Sequence, residues 1–327
     1  MKPTVSVAMC TFNGERFLGQ QLDSIAGQQR PPDELVVCDD GSSDASMEIL
    51  QNFAHGTPFP THIVKDGKNV GSTKSFEKAI SLCQGDFIAL CDQDDVWEPN
   101  KLARLSEVLN KDNSLGGVFS DAELIDADGK ALGRHLWSVH KFTFRQPGDF
   151  ERDAAMRLLL KHDVVTGATL MIRASLRELL FPIPTSWVHD GWIAWMLVLY
   201  SRLVCLPEPL VRYRLHANQQ LGVGSINAAR KVRYCYEDRN KLRTMSLQFE
   251  ALRERWISRP GKTFAVYREL IENKIASLRR RSELPQSYLP RACSILRSFP
   301  SYQKYARGIS TMRGDLFLPS TSGERRG

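Results

Sequence analysis

Short apolar runs rich in β-branched residues alternate with longer amphipathic stretches over the first hundred residues, a pattern that predicts strand-helix-strand units around a mainly parallel sheet. Val5 to Met9 reads as the first strand, Leu35 to Cys38 as the second, His62 to Val64 as the third and Phe87 to Leu90 as the fourth. Between them, Phe17, Leu18, Leu22 and Ile25 share one face of a helix, and Met47, Ile49, Leu50 and Phe53 belong to a second that Asp44 is placed to cap. A third helix spans 72–82 with Phe76, Ala79 and Ile80 inward, and Pro99 opens a fourth that runs to about Leu109.

After Val118 the pattern loosens. A polar segment from Asp121 to Lys130 precedes a helix over 153–160, a strand from Ala168 to Ile172 and a helix from Gly191 to Tyr200. From Ala228 the chain reads as helical and basic, and it ends in LPSTSGERRG, whose small and polar residues predict disorder. The expected organisation is an α/β domain over 1–222, a basic helical extension over 223–315 and a disordered tail over 316–327.

Composition changes this picture little, since 42% hydrophobic and 25% charged residues are those of an ordinary folded protein. Charge changes it more. The net +7 conceals an asymmetry: residues 1–224 carry 22 Lys and Arg against 28 Asp and Glu, whereas residues 225–327 carry 22 against 9. A basic tail on an acidic body predicts an anionic partner such as phospholipid headgroups, lipid-linked phosphates or nucleic acid. The seven cysteines are odd in number and show no C-x-x-C spacing, which argues against a disulfide framework or a zinc site and for a reducing compartment. No run reaches the ~18 apolar residues of a membrane span. A cytoplasmic protein is expected, with the inner membrane face within its reach.

In an open α/β sheet, ligands collect at the carboxyl ends of the strands, and the polar motifs of this chain fall there. The first strand ends in CTFNGE (10–15), the second in CDDGSSD (38–44) and the fourth in CDQDD (91–95). The last is the sharpest, because Asp92, Asp94 and Asp95 put three carboxylates on four residues after an apolar strand. Mg²⁺ or Mn²⁺ would relieve that repulsion and keep positions open for substrate phosphates. The chain has no G-x-x-x-x-G-K-[ST] loop and no G-x-G-x-x-G turn after the first strand, so neither common phosphate cradle is present.

VSVAMCTFNGE (5–15), ELVVCDDGSSD (34–44), KNVGSTKSFEKAI (68–80) and FIALCDQDDVW (87–97) together resemble the family 2 glycosyltransferases of GT-A fold, which move a sugar from a nucleotide diphosphate with inversion. VVTGATLMIR (164–173), WVHDGWIAWM (187–196) and LPEPLVRYRLHANQQLG (206–222) are similar to a bacterial subgroup described as rhamnosyltransferases. The resemblance covers about 1–222. It implies that Thr11, Asn13 and Glu15 line the nucleotide, that Asp39 or Asp40 binds the base, and that Asn69, Gly71 and Lys74 border the nucleotide or donor sugar. Asp92 and Asp94 match the D-x-D positions that hold metal and donor, and His216 matches a late histidine that completes the metal or diphosphate site. Asp190, preceded by His189 where the family usually has a second carboxylate, matches the catalytic base. Trp97 and Trp187 are the expected acceptor contacts, while Trp192 and Trp195 have core spacing.

The activity so implied is transfer from a UDP-sugar or dTDP-rhamnose to a saccharide, expected to be lipid-linked, in bacterial surface polysaccharide such as O-antigen. The basic extension would then meet an anionic membrane peripherally. A nucleotidyltransferase usually grips its triphosphate with a glycine-rich basic turn, and TFNGER offers only Arg16. A non-catalytic nucleic-acid-binding protein would leave the acidic strand ends unexplained, so no nucleic acid is expected.

Overall fold

The computed structural model describes residues 2–140, 142, 152–217, 239–258 and 264–317. Among these, nine strands form one sheet in the order β3-β2-β1-β4-β8-β6-β9-β5, with β7 paired to β6. The first half is parallel: β1 (Val5–Thr11) lies between β2 (Glu34–Asp39) and β4 (Phe87–Cys91), and β3 (Thr61–Lys65) flanks β2. β1, β2 and β4 are buried along their whole length, which is why each reads as an unbroken apolar run rather than an alternation.

Four helices follow the predicted units: α1 (Glu15–Ala26), α2 (Ser46–Gly56), α3 (Ser72–Leu82) and α4 (Lys101–Lys111). Leu18, Leu22 and Ile25 of α1 and Leu102, Leu105 and Leu109 of α4 enter one core with Val5, Val7, Met9, Leu35 and Val37 of the sheet. Each such side chain contributes about 1.5–3 kcal/mol relative to exposure. α3 packs against β1 and β2 and buries Phe76, Ala79 and Ile80. Asp44 does its capping one residue out from the expected place, accepting the Ser46 amide at 3.0 Å while Ala45 stands at the N-cap.

Two long strands replace part of the loosely patterned region. β6 (Leu115–Ile125) runs through half of the expected polar segment, and its parallel partner β9 (Arg202–Arg214) absorbs Pro207 and Pro209 through register shifts. The turn after β6 leads into the short β7 (Ala131–His135), then α5 (Leu136–Val139) and α6 (Arg152–Leu159). The strand expected from Ala168 starts later: a 3₁₀ turn over Gly167–Thr169 precedes β8 (Leu170–Arg173). β8 runs antiparallel to both β4 and β6 and so joins the two halves of the sheet. α7 (Arg177–Leu180) and α8 (His189–Tyr200) follow, and β5 (Val96–Trp97) is a two-residue strand on β9.

The chain divides into two compact units, one of residues 1–156 and 163–223, the other of 157–162 and 224–327. The described part of the second unit is helical, over Arg239–Ser258, Phe264–Ser282, Tyr288–Arg297, Phe299–Tyr305 and Ile309–Leu316. Leu242, Phe249, Leu252 and Trp256 of its first helix and Tyr267, Ile271, Ile275 and Leu278 of its second are buried at helical spacing. Arg281 pairs with the buried Asp315 at 2.7 Å, and the Tyr302 hydroxyl donates to the same carboxylate at 2.6 Å. Most of the expected tail, from residue 318 on, and the helical reading from Ala228 to residue 238 lie outside the described residues. No described helix is long and apolar enough to cross a membrane.

Candidate active site

The parallel register sets Thr11 opposite Asp39 and Met9 opposite Cys91, so the three strand-end motifs emerge side by side. They are then tied together. Gln93 of CDQDD accepts the Phe12 amide at 2.8 Å and donates to the Phe12 carbonyl at 3.1 Å. Asn13 takes a left-handed backbone (φ 48°) and its side-chain oxygen accepts the Ser43 amide at 2.9 Å, while Glu15 accepts the Ala45 amide at 3.0 Å. Asp39 accepts from the Thr11 hydroxyl and the Ser42 amide; Asp40 accepts the Val70 and Gly71 amides at 2.7 and 2.9 Å. The Asn69 side chain also accepts the Gly71 amide, at a residue whose φ of 89° suits glycine.

Four carboxylates converge beyond this hub. Gly167, which opens the 3₁₀ turn before β8, donates its amide to Asp190 at 3.0 Å, and the charge of Asp190 reaches Asp92. A second oxygen of Asp190 accepts the Gly191 amide at 2.7 Å, at the start of α8. Burial, then the charges of Asp94 and Asp190, pushes Asp92 up to about 7. Burial also lifts Asp190, and the Gly167 and Gly191 amides offset part of that rise. Asp92, Asp94 and Asp190 are half-buried, whereas Asp95 is fully buried with one carboxylate oxygen unpartnered. The buried Tyr213 feels all four, its phenol held protonated by burial and by Asp95, Asp92, Asp94 and Asp190.

Two buried cations answer this charge. Lys101, the first residue of α4, donates to the Ala168 carbonyl at 2.6 Å with its ammonium 3.4 Å from the Trp97 ring centroid. Arg214, at the end of β9, donates to the Asp94 carbonyl, the Ala127 carbonyl and the Gln20 side chain, and its own amide donates to Asp95. Two residues on, His216 Nε2 lies 2.8 Å from Asp94 Oδ2. No group of three His, Cys, Asp or Glu side chains is already gathered around one point among the described residues. Asp94 and His216 nevertheless form a half-buried oxygen and nitrogen pair beside Asp92, whose carboxyl is raised by burial and then by the charges of Asp94 and Asp190. That donor set fits a divalent cation.

The sequence profile of glycosyl transferase family 2 matches residues 6–180, more than half of the chain. The chain belongs to that family. TuaG of Bacillus subtilis, a glycosyltransferase assigned provisionally to teichuronic acid biosynthesis, is 26% identical over 247 residues, 75% of this chain and 91% of its own. A mannosyltransferase of Pyrobaculum calidifontis, solved with GDP-Man and Mn²⁺, superposes with a TM-score of 0.58 at 18% identity, covering 97% of this chain and 85% of its own. S. aureus TarS 1–349 with UDP-GlcNAc gives 0.55 at 15% identity, covering 96% and 89%. At such identities the structures speak for the fold alone, which is GT-A.

For a family 2 glycosyltransferase the expected residues fall into three groups. Asp92, Asp94, Asp190 and His216 are half-buried and border the acidic cluster; Asn13, Glu15 and Asn69 are exposed around the strand-end hub. Thr11, Asp39 and Asp40 are buried and hold the chain, and Lys74 is tied to Glu77 and the Ile183 carbonyl at 2.9 and 2.8 Å. The two tryptophans are corrections. Trp97 belongs to the core with Lys101 over its ring, and the buried Trp187 packs edge-on against Trp192, so neither offers a sugar-stacking face. His189 is also removed from acid-base work: it stacks on Phe76 at 3.8 Å, and burial holds it near 3, so it stays neutral.

Lys101, Tyr213 and Arg214 stand in no motif that marks them in the sequence, although a lysine beside the Leu102, Leu105 and Leu109 stripe is a signal. Lys101→Met is expected to cost about 1–3 kcal/mol, because it leaves the Ala168 carbonyl without its donor and takes a positive charge away from Asp92 and Asp95. It frees the Gly167–Thr169 turn, and turnover is expected to fall about 10- to 100-fold. Burial lowers the ammonium from 10.5 to about 7, so between those values the unfolded chain binds the proton better and stability rises with pH. Urea titrations across pH should show that rise in the wild type and a flatter curve in Lys101→Met.

Proposed function

We propose that this protein is an inverting, divalent-metal-dependent glycosyltransferase that moves a sugar from a nucleotide diphosphate to a saccharide on a lipid carrier, in bacterial surface polysaccharide synthesis. The observation that carries the reading is the approach of Asp190, fixed by the Gly167 and Gly191 amides, to Asp92, so that carboxylates about a hundred residues apart in sequence feel each other's charge. One is thereby offered as a base beside the other's metal and donor site. In the step proposed, the acceptor hydroxyl oxygen bonds to the anomeric carbon, the bond from that carbon to the diphosphate breaks with its electrons going to the diphosphate, and the hydroxyl proton passes to Asp190. Attack opposite the leaving group inverts the centre and needs no covalent sugar-enzyme intermediate.

Asp94 and His216, with Asp92 beside them, would hold the cation, which supplies neutralisation of the charge growing on the diphosphate. Asn13, Glu15, Asn69 and Gly71, around the hub that Thr11, Asp39 and Asp40 brace, would border the nucleotide. A UDP-sugar and dTDP-rhamnose both suit such a donor site.

Calorimetric titration of UDP, dTDP, GDP and CDP into the protein, with and without Mn²⁺ or Mg²⁺, tests this. One pyrimidine diphosphate should bind, and only with metal. Absence of binding by all four in the presence of metal would overturn the reading.

A further inference from the structure

The segment YLPRACSILRSFP (288–300) mixes apolar and basic residues, and the fold decides which of them face out. On the helix Tyr288–Arg297, Ile295 turns inward to a cluster with Leu284, Tyr302 and Ala306. Arg291, also buried, donates to the carbonyls of Pro285 and Gln286 at 2.7 Å and of Leu316 at 3.2 Å, which fixes the rotation of the helix. The opposite face therefore carries Leu289, Cys293 and Leu296, spaced i, i+4 and i+7. Leu289 is 74% exposed and Leu296 67%, and Phe299, 42% exposed, opens the next helix three residues on.

This is a concentration, not scatter. Of the eleven large apolar side chains left exposed among the described residues, eight lie beyond residue 224. Along the chain after Glu283, as far as residue 317, the exposed charge is of one sign. Between residues 284 and 317 the only acidic side chain is Asp315, which is buried and paired with Arg281, while Arg297, Lys304, Arg307 and Arg313 are exposed.

We infer that this face, with Leu289, Leu296 and Phe299 as its apolar contacts, docks on an anionic lipid bilayer. Apolar side chains raised from a fixed helix enter the acyl boundary while neighbouring cations meet lipid phosphates, and the two contributions reinforce each other. A second copy of the chain would set like charge against like charge at this face, and a nucleic acid would leave the leucines without a role. The inference deepens the lipid-linked acceptor of the proposed function, and it is tested without donor, metal or turnover, so the two readings can fail separately.

The experiment is co-sedimentation of the full chain with phosphatidylcholine vesicles and with vesicles of phosphatidylcholine and phosphatidylglycerol, for the wild type and for Leu289→Ser/Leu296→Ser. The changes are on the surface, and a thermal melt confirms the fold is kept. Wild type should pellet with the anionic vesicles, less at high salt, and the double variant should partition at least about tenfold more weakly. Failure of the wild type to bind anionic vesicles overturns the inference. So does equal binding by the variant, which would move the contact elsewhere on the chain. Concentration-dependent self-association that the variant abolishes and vesicles do not compete with would assign the face to a second copy instead.

Discussion

Asp190→Asn is expected to lower turnover about a thousandfold while leaving metal-dependent nucleotide binding near the wild-type level. In the proposed step the residue is the base, and it is half-buried, so an acceptor hydroxyl can reach it. Its two oxygens accept the Gly167 and Gly191 amides, which stabilise the ionised form and fix its orientation. An asparagine keeps one of those bonds and turns its own NH₂ toward the other amide, a cost of about 1 kcal/mol that a folded domain tolerates. The proton acceptor, in contrast, is lost altogether. Because burial raises the Asp190 pKa, wild-type turnover should fall with acidification at a pH above the usual carboxylate range. That limb should be missing from any residual activity of the variant. Donor turnover measured across pH, with nucleotide affinity by calorimetry, checks both halves. Near-wild-type turnover in Asp190→Asn would place the base elsewhere.

The part of the fold legible in the sequence is the part whose burial is continuous. β1, β2 and β4 are covered on both faces, so their apolar runs are unbroken and their ends are marked by polar turns. α3 was readable to the residue for a similar reason, with Gly71 at its start and Phe76, Ala79 and Ile80 on one face. β6 and β9 were not. Asp121 and Glu123 interrupt the first and Pro207 and Pro209 the second, and their strand character comes from long-range pairing, chiefly with each other. The tryptophans failed on a different count: a sequence lists large rings beside acidic motifs but not which cation or ring already covers them, as Lys101 covers Trp97. The D-x-D carboxylates and Asp190 could be named individually from their motifs. Their meeting could not, because the folded chain makes it, with the Gly167 amide ahead of β8 holding Asp190 where its charge reaches Asp92.

Arg214→Met should show the largest stability loss in the site, about 3–5 kcal/mol by urea denaturation. The contrast with Lys101 lies in how fully each cation is matched. Lys101 has its carbonyl and its ring, whereas the guanidinium of Arg214 reaches α1 through Gln20, the D-x-D loop through the Asp94 carbonyl and the turn after β6 through Ala127, with its carbon 4.7 Å from the Phe17 ring centroid. Removing it strips donors from several acceptors at once and takes a positive charge away from the buried Asp95, whose carboxyl burial and its acidic neighbours already push up. Lysine should restore little, since one ammonium cannot span acceptors that a planar fork reaches. The consequence for chemistry follows from position. Arg214 clamps the Asp94 backbone two residues before His216, so it sets the 2.8 Å approach of His216 to the Asp94 carboxylate. Arg214→Met should therefore weaken metal-dependent nucleotide binding even at temperatures where the variant remains folded. A stability loss below about 1 kcal/mol with unchanged nucleotide affinity would mean that the loop is held by its backbone alone.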